Sequence, residues 1–255
     1  MSNGAHEVQL KFDRSRWHLA ELERGISSYL AADPFSVSPE EEANGDLVYR
    51  ARVNQLPPVQ LSLPLGDAIH SARSALDYLA WQLVIAGGGT PGKQTAFPIS
   101  VDQNKFETAV KEKLSGASQA VITAVDELKA FDGGDENFWR LHQLDIEDKH
   151  HLLVPVGIAL AVVNVEFGLP GMDPIKVGLT PINRAYPLQN GTEVFRVMQA
   201  ARESADSGIG GNPSFDFDVA FGEGVIVKGE PIFPTLVELI GSVERAVLSL
   251  FRFLR

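Results

Sequence analysis

The stretch GDAIHSARSALDYLAWQLVIA, residues 66–86, predicts the clearest helix in the chain. Its large apolar residues recur at intervals of three and four, the spacing that places them on one side of an α-helix. They are Ile69, Ala72, Leu76, Leu79 and Leu83. The polar residues fall outside this stripe, so we expect one side of the helix to pack into a core and the other to carry polar chemistry.

Further helices and strands are predicted on both sides of this stretch. Helices are expected over residues 13–32, 105–114, 118–130, 135–151 and 234–255, with N-caps at Asp13, at the capping-box pattern of Ser100 and Gln103, at Ser118 and at Asp135. Alternating apolar residues predict strands over 47–53, 59–63, 152–167, 175–179, 184–188, 193–198 and 214–221. Residues 38–46 are interpreted as a loop, and Asn190-Gly191 predicts a hairpin turn.

This order of elements predicts an α+β fold. We expect a helical bundle formed by residues 1–151 and 233–255. An antiparallel β region of residues 152–232 is inserted before the C-terminal helix and packs with this bundle. The C-terminal helix would return to the bundle, so the whole of residues 1–255 is predicted to be a single domain.

Composition excludes several classes of function. The 255 residues include no cysteine, which removes thiol nucleophiles, disulfides and cysteine-ligated metals. The formal charge of −11 is spread over the whole chain, which argues against binding an extended nucleic-acid backbone. No signal peptide or membrane-spanning run is recognisable, so a soluble, cytoplasmic protein without membrane contact is expected. No cofactor is predicted, the partner is unknown, and a homo-oligomer is left open.

The run GGGTPGK, residues 87–93, matches the letters of a phosphate-binding P-loop. That loop needs a preceding strand, a following helix and a Ser or Thr after the lysine, to bind magnesium. Here a helix precedes the run, and Gln94 occupies the hydroxyl position. We therefore interpret it as the end of a helix followed by a loop.

Polar residues of two helices form the candidate site. Residues 66–86 place an imidazole, a guanidinium and a carboxylate on one side, and RLHQLDIEDKHH, residues 140–151, does the same with imidazoles, carboxylates and an ammonium. If the helices are neighbours in a bundle, these groups could build a site with a general acid or base and a cationic anchor. The candidates are His70, Arg73, Asp77, His142, Asp145, Asp148, Lys149 and His150.

Two other interpretations of these residues stay open. Asp145 with Lys149 is an ordinary helix pair, and Arg73 with Asp77 could be a buried bridge that fixes the helix register. In the second interpretation, His142 and Asp145, together with His70 or Asp77, are ligands of zinc, iron or manganese. The sequence does not decide whether a metal is bound.

The two helices also carry a family resemblance. Gly66, Asp67, His70, Arg73, Ser74, Leu76, Asp77 and Trp81 match a GD-x-x-H-x-x-R-S-x-L-D-x-L-x-W helix, and Leu141, His142, Asp148, Lys149 and His150 match an LH-x-L-x-x-x-DKH helix. With these motifs the chain resembles a widespread bacterial protein family of uncharacterised function. The resemblance covers residues 66–156 and implies no particular activity.

The bundle also resembles, more distantly, those of the HEPN superfamily, whose ribonucleases pair an Arg with a His a few residues later. Arg140 is followed by His142 and His150 at other spacings, so an Arg/His pair here would combine Arg73 with His142 or His150 from two helices. We therefore expect an interaction or ligand-binding module with a HEPN-like bundle. The alternative is an RNA-cleaving or metal-dependent hydrolase that uses the same residues.

Overall fold

The computed structural model describes residues 3–167, 175–179, 186–200, 213–223 and 226–254. Its α-helices are α1 (Asn3–Leu30), α2 (Ser62–Ala86), α3 (Gln103–Lys113), α4 (Gln119–Asp126), α5 (Glu136–His150) and α6 (Ile232–Leu248). Its strands are β1 (Phe35–Glu41), β2 (Leu47–Val53), β3 (Pro155–Phe167), β4 (Ile175–Leu179), β5 (Glu193–Val197) and β6 (Ser214–Phe221). Short 3-10 helices cover Val59–Leu61 and Ser249–Phe253.

The predicted α+β class is confirmed, with the C-terminal helix following the main β region. The described strands form two antiparallel sheets, in the orders β1-β2-β5 and β4-β3-β6. The aromatic side chains of the two sheets meet, since Tyr49 contacts Phe215 at 5.6 Å and Phe35 contacts Phe217 at 5.0 Å between ring centroids. That residues 1–255 form one domain stays a prediction.

Helix α2 lies at the centre of the bundle, in contact with α1, α5 and α6. All five residues of its predicted apolar stripe are fully buried. Burial of one Leu or Ile side chain stabilises a fold by roughly 1.5–3 kcal/mol, so this stripe accounts for the position of α2. At the edge of the bundle, Gln9 and Arg16 of α1 both donate to the Glu244 carboxylate of α6.

Local capping chemistry fixes where three of the helices begin. The Ser118 and Asp135 side chains accept hydrogen bonds from Val121 N–H and Asn137 N–H, as predicted. Before α3 the cap is Asp102, whose side chain accepts from Lys105 N–H, rather than the predicted Ser100. Each such cap stabilises a helix by about 1 kcal/mol.

The structure corrects three predicted elements in the first third of the chain. Helix α1 begins at Asn3, well before the predicted cap at Asp13. Residues 59–63 are helical, because a 3-10 turn leads directly into α2. Residues 38–41, predicted as loop, belong to β1, which pairs with β2 along its whole length.

The strand that follows the predicted turn at Asn190-Gly191 pairs with a different strand from the one expected. The turn exists, but β5 pairs with β2 and not with the run before it. Residues 186–188 are not in a strand, and residues 184–185 lie outside the described part. Gly191 N–H donates to the Ala51 carbonyl, so this turn is attached to the β1-β2 hairpin.

The glycine-rich run after α2 serves backbone packing, in agreement with its interpretation as a helix end and loop. A Cβ at Gly87 would lie 2.7 Å from Ser118 N, and one at Gly89 would lie 2.6 Å from Gly116 O. Glycine is required here because two loops touch through their main chains. Within the described ranges, no helix is both long and apolar enough to cross a membrane.

Candidate functional site

Helices α2 and α5 pack against each other and bring their polar residues together in two neighbouring groups. We call the first the arginine group, which comprises Arg73, Asp77, Phe97, Lys113 and His142. We call the second the aspartate group, which comprises His70, Asp145, Asp148 and Lys149. The expected meeting of the two polar helix faces therefore occurs, although the residues sort into two sets.

In the arginine group, Arg73 is 6% exposed, and each of its three guanidinium nitrogens makes one hydrogen bond. Nη1 donates to Asp77 Oδ1 at 2.6 Å, Nη2 to the Phe97 carbonyl oxygen at 3.4 Å, and Nε to His142 Nδ1 at 3.4 Å. Phe97 N–H also donates to Asp77 Oδ1, at 2.9 Å. The loop before α3 therefore holds the Arg73–Asp77 pair through both backbone groups of one residue.

The imidazole of His142 is neutral at physiological pH. Burial, and then the charges of Arg73 and Lys113, lower its pKa from 6.5 to about 4. Because Arg73 Nε–H is a donor, Nδ1 of His142 must be the acceptor, which leaves the ring proton on Nε2. Nε2–H makes no hydrogen bond to the described residues, so it remains a donor for another group.

Lys113, the last residue of α3, brings a second cation to the arginine group. Burial, followed by the charge of Arg73, lowers the pKa of its ammonium, and Asp77 partly offsets this effect. The ammonium has no hydrogen-bond acceptor among the residues that the structure describes. Two cations and a neutral imidazole thus share a single carboxylate, that of Asp77.

In the aspartate group, the Asp145 carboxylate is 2% exposed and is held from two helices. His70 Nδ1 lies 3.0 Å from Asp145 Oδ1, and Lys149 Nζ donates to Asp145 Oδ2 at 2.5 Å. The ring of His70 and the stem of Lys149 are largely exposed. In this group, two exposed side chains therefore cover and pair with a buried carboxylate between α2 and α5.

Asp148 packs directly against the backbone of α2. A Cβ at Gly66 would collide with its carboxylate, so the glycine leaves the space that the Asp148 side chain occupies. Burial, and then the charges of Asp145 and Asp67, raise the pKa of the Asp148 carboxyl above its ordinary value. This explains why a glycine stands at the start of the helix motif.

The structure brings together seven of the eight candidate residues, in two sets. Arg73, Asp77 and His142 form one, and His70, Asp145, Asp148 and Lys149 form the other, so His70 and Asp77 do not share a group. His150 is exposed and lies outside both. The sequence reasoning missed Lys113 and Phe97; the TAFPIS segment signals Phe97, whereas no local pattern marks Lys113.

The proposed metal ligands are not arranged as a metal centre. In the described ranges, no three or more His, Asp and Glu side chains are grouped so that they could hold a metal ion. His142 lies with Arg73, and Asp145 is already paired with His70 and Lys149. The arginine group instead offers hydrogen-bond donors, which suit an anion.

Comparison of the chain with protein-family models, with curated proteins and with solved structures gave no match. The resemblances to the bacterial family and to HEPN bundles therefore stay predictions from the two helix motifs. The side-chain contacts between α2 and α5 are the observations on which a function can be proposed.

Proposed function

We propose that this chain is a ligand-binding module that takes a small oxyanion, such as a phosphate or carboxylate, at the arginine group. The observation that carries the proposal is the excess of donors over negative charge there: Arg73, Lys113 and His142 have a single carboxylate among them, that of Asp77, and neither the Lys113 ammonium nor His142 Nε2–H has an acceptor in the described ranges. An anion placed beside Lys113 would relieve the repulsion between that ammonium and Arg73. It would also accept a hydrogen bond from His142 Nε2–H.

The groups that would touch the ligand are reachable. Lys113 and His142 are half-buried, and the Asp77 side chain is 43% exposed, whereas Arg73 lies beneath them. Partial burial strengthens a charge-assisted hydrogen bond relative to one made in water. Arg73 would act as a positioning residue, since its own donors already bond to protein acceptors.

The hydrolase alternative receives less support from this geometry. A histidine general acid must be an imidazolium near neutral pH, and a pKa of about 4 leaves His142 without that second, acidic proton. A general base needs a free ring nitrogen, and Nδ1 of His142 accepts from Arg73. Because His142 fits neither role, we propose that the chain binds its ligand and does not cleave RNA.

The test uses Trp139, whose ring centroid lies 6.3 Å from that of His142, as a fluorescent reporter. Trp17→Phe and Trp81→Phe leave Trp139 as the single tryptophan, and both replaced residues are exposed. We expect inorganic phosphate to change the Trp139 emission in a saturable way. In this background Lys113→Gln should weaken the apparent affinity about tenfold, because one charge-assisted hydrogen bond is lost.

The matched control is Lys111→Gln, which removes the same charge from an exposed position of the same helix. It should leave the affinity within about twofold, since exposed charges are screened by solvent and salt. Absence of a saturable signal, or equal weakening by the two substitutions, would contradict binding at the arginine group.

A further inference from the structure

A cleft lies on the β1-β2-β5 sheet, in a part of the molecule that the proposed function does not involve. Its volume is about 350 Å³. Its lining consists of Ser38, Glu40, Arg50, Ala51, Arg52, Asn190 and Gly191. Strand β1, strand β2 and the turn before β5 therefore all contribute to it.

Arg50 is held in a fixed orientation beside this cleft. Its Nε donates to Glu40 Oε2 at 3.1 Å and its Nη2 to Glu42 Oε1 at 2.9 Å. Nη1 makes only a long contact of 3.3 Å with the Gly191 carbonyl oxygen. The two carboxylates thus fix the guanidinium, while Nη1 keeps donor capacity for another acceptor.

Arg52 supplies a second guanidinium on the same face of β2, because side chains two residues apart in a strand point to the same side. Arg52 is exposed, and it makes no hydrogen bond or ion pair with any residue in the described ranges. Arg50 and Arg52 therefore bring two positive charges to a cleft whose lining holds one carboxylate, that of Glu40.

The turn before β5 adds a neutral donor. Asn190 Oδ1 accepts from Val53 N–H at 2.7 Å, so the side-chain amide is oriented and its nitrogen stays available as a donor. Gly191 has φ +82°, which favours glycine, and its N–H is fixed by the Ala51 carbonyl. The buried Ser38 hydroxyl has no hydrogen-bond partner within the described part, a condition that ligands or waters normally relieve.

We propose that this cleft is a second binding site, for a small ligand that presents an oxyanion to Arg50 and Arg52. Paired guanidinium groups favour planar carboxylates and phosphates, which accept several N–H bonds at once. The cleft has the volume of small-ligand pockets, which begin at about 300 Å³. Its lining carries a net charge of +1, and because Glu40 and Glu42 both pair with Arg50, Arg52 is the cation of this lining without a carboxylate partner in the described ranges.

The experiment is a titration of the full chain with inorganic phosphate and, separately, with acetate, followed by the backbone amide signals. Phosphate should shift the amides of Arg52 and Gly191 in a saturable way. In Arg52→Gln the affinity at these amides should fall about tenfold, because a charge-assisted donor is lost. Acetate that binds more tightly than phosphate would assign the site to carboxylates instead of phosphate esters.

The matched control is Arg24→Gln, which removes the same charge from an exposed position of α1. It should leave the affinity unchanged within about twofold. If neither anion shifts these amides saturably, or if both variants weaken binding equally, the second site is refuted. Absence of anion binding at the arginine group would be detected separately, as unchanged amide signals of Phe97 and Lys113 and unchanged Trp139 emission.

Discussion

Two arginines, Arg73 in the bundle and Arg196 in the β1-β2-β5 sheet, each join several elements but in opposite electrostatic settings. Arg196 is paired with three carboxylates, those of Glu193 at 2.7 Å, Glu42 at 2.7 Å and Asp46 at 3.1 Å. The hydrogen bonds from Arg196 lower the pKa of Glu42 and of Glu193. Arg73 has one carboxylate, and the groups whose pKa it lowers are His142 and Lys113.

The two arginines differ in charge balance, and the proposed function depends on that balance and not on the number of ion pairs around an arginine. The Arg196 cluster has no excess positive charge to attract an anion, because three carboxylates pair with one guanidinium. The arginine group has the opposite balance, because its two cations share one carboxylate and the Lys113 ammonium has no acceptor among the described residues. Burial separates the two further, since the Arg73 side chain is 7% exposed and that of Arg196 is 30% exposed.

The largest expected effect breaks the buried network. Arg73→Met should lower the free energy of unfolding by about 2–4 kcal/mol, because the Phe97 carbonyl loses its Arg73 donor and the Asp77 carboxylate loses its paired cation. Chemical denaturation with urea measures this loss. Arg196→Met, which removes the same charge and side-chain length, serves as the comparison. Equal losses in the two variants would show that burial does not distinguish the two networks.

An intermediate effect is expected from pH. The pKa of His142 is about 4 in the folded state and near 6.5 when unfolded, so between these values the unfolded chain binds more protons. Stability should therefore be complete above pH 6.5 and decrease by about 1–3 kcal/mol as the pH falls to 4. The ion pairs around Arg196 also contribute less to the stability of the fold on acidification, but only near and below the ordinary pKa values of their carboxylates.

The matched variant for this prediction is His142→Gln. Urea denaturation between pH 7 and pH 4 should show a shallower loss in the variant, because it lacks the titrating imidazole. An NMR titration of the His142 ring should give a midpoint near 4. In Arg73→Met the midpoint should move towards 6.5, and a midpoint that stays at 4 there would mean that burial and the charge of Lys113 set the pKa without Arg73.

The smallest effect is expected from the partly exposed cluster around Arg196. Arg196→Met should lower the Tm by less than Arg73→Met does, and the difference from the wild type should disappear at high salt. Ion pairs that solvent reaches contribute little, and the Debye length falls from about 10 Å at 0.1 M salt to about 3 Å at 1 M. Thermal unfolding at these two salt concentrations measures the effect. A decrease in Tm that persists at 1 M salt would contradict this account.

Local chemistry made much of the bundle predictable. The apolar stripe of α2 and the caps at Ser118 and Asp135 depend on residues within a few positions of each other. Strand β1 could not be predicted in this way, because Pro39, Glu40 and Glu41 have low strand propensity. Pairing with β2 overrides that propensity, and the edge position of β1 tolerates a proline.

The contacts of the candidate site also fall into those that local spacing predicts and those that depend on packing between distant segments. The pairs Arg73–Asp77 and Asp145–Lys149 follow from a spacing of four on one helix, and both are present. The bond between Arg73 and His142 follows from the assumption that α2 and α5 are neighbours. Lys113 was missed because only the packing of α3, set by its buried Phe106 and Val110, brings it to Arg73.

The tie between α1 and α6 affects when the bundle can form during synthesis. Glu244, the acceptor for Arg16, lies 228 positions further along the chain. At translation rates of roughly 5–20 residues per second, that carboxylate is made on the order of 10–50 s after Arg16. Throughout this interval the face of α1 that later contacts α6 has no native partner, so this part of the bundle can form only after the C-terminal helix has been synthesised.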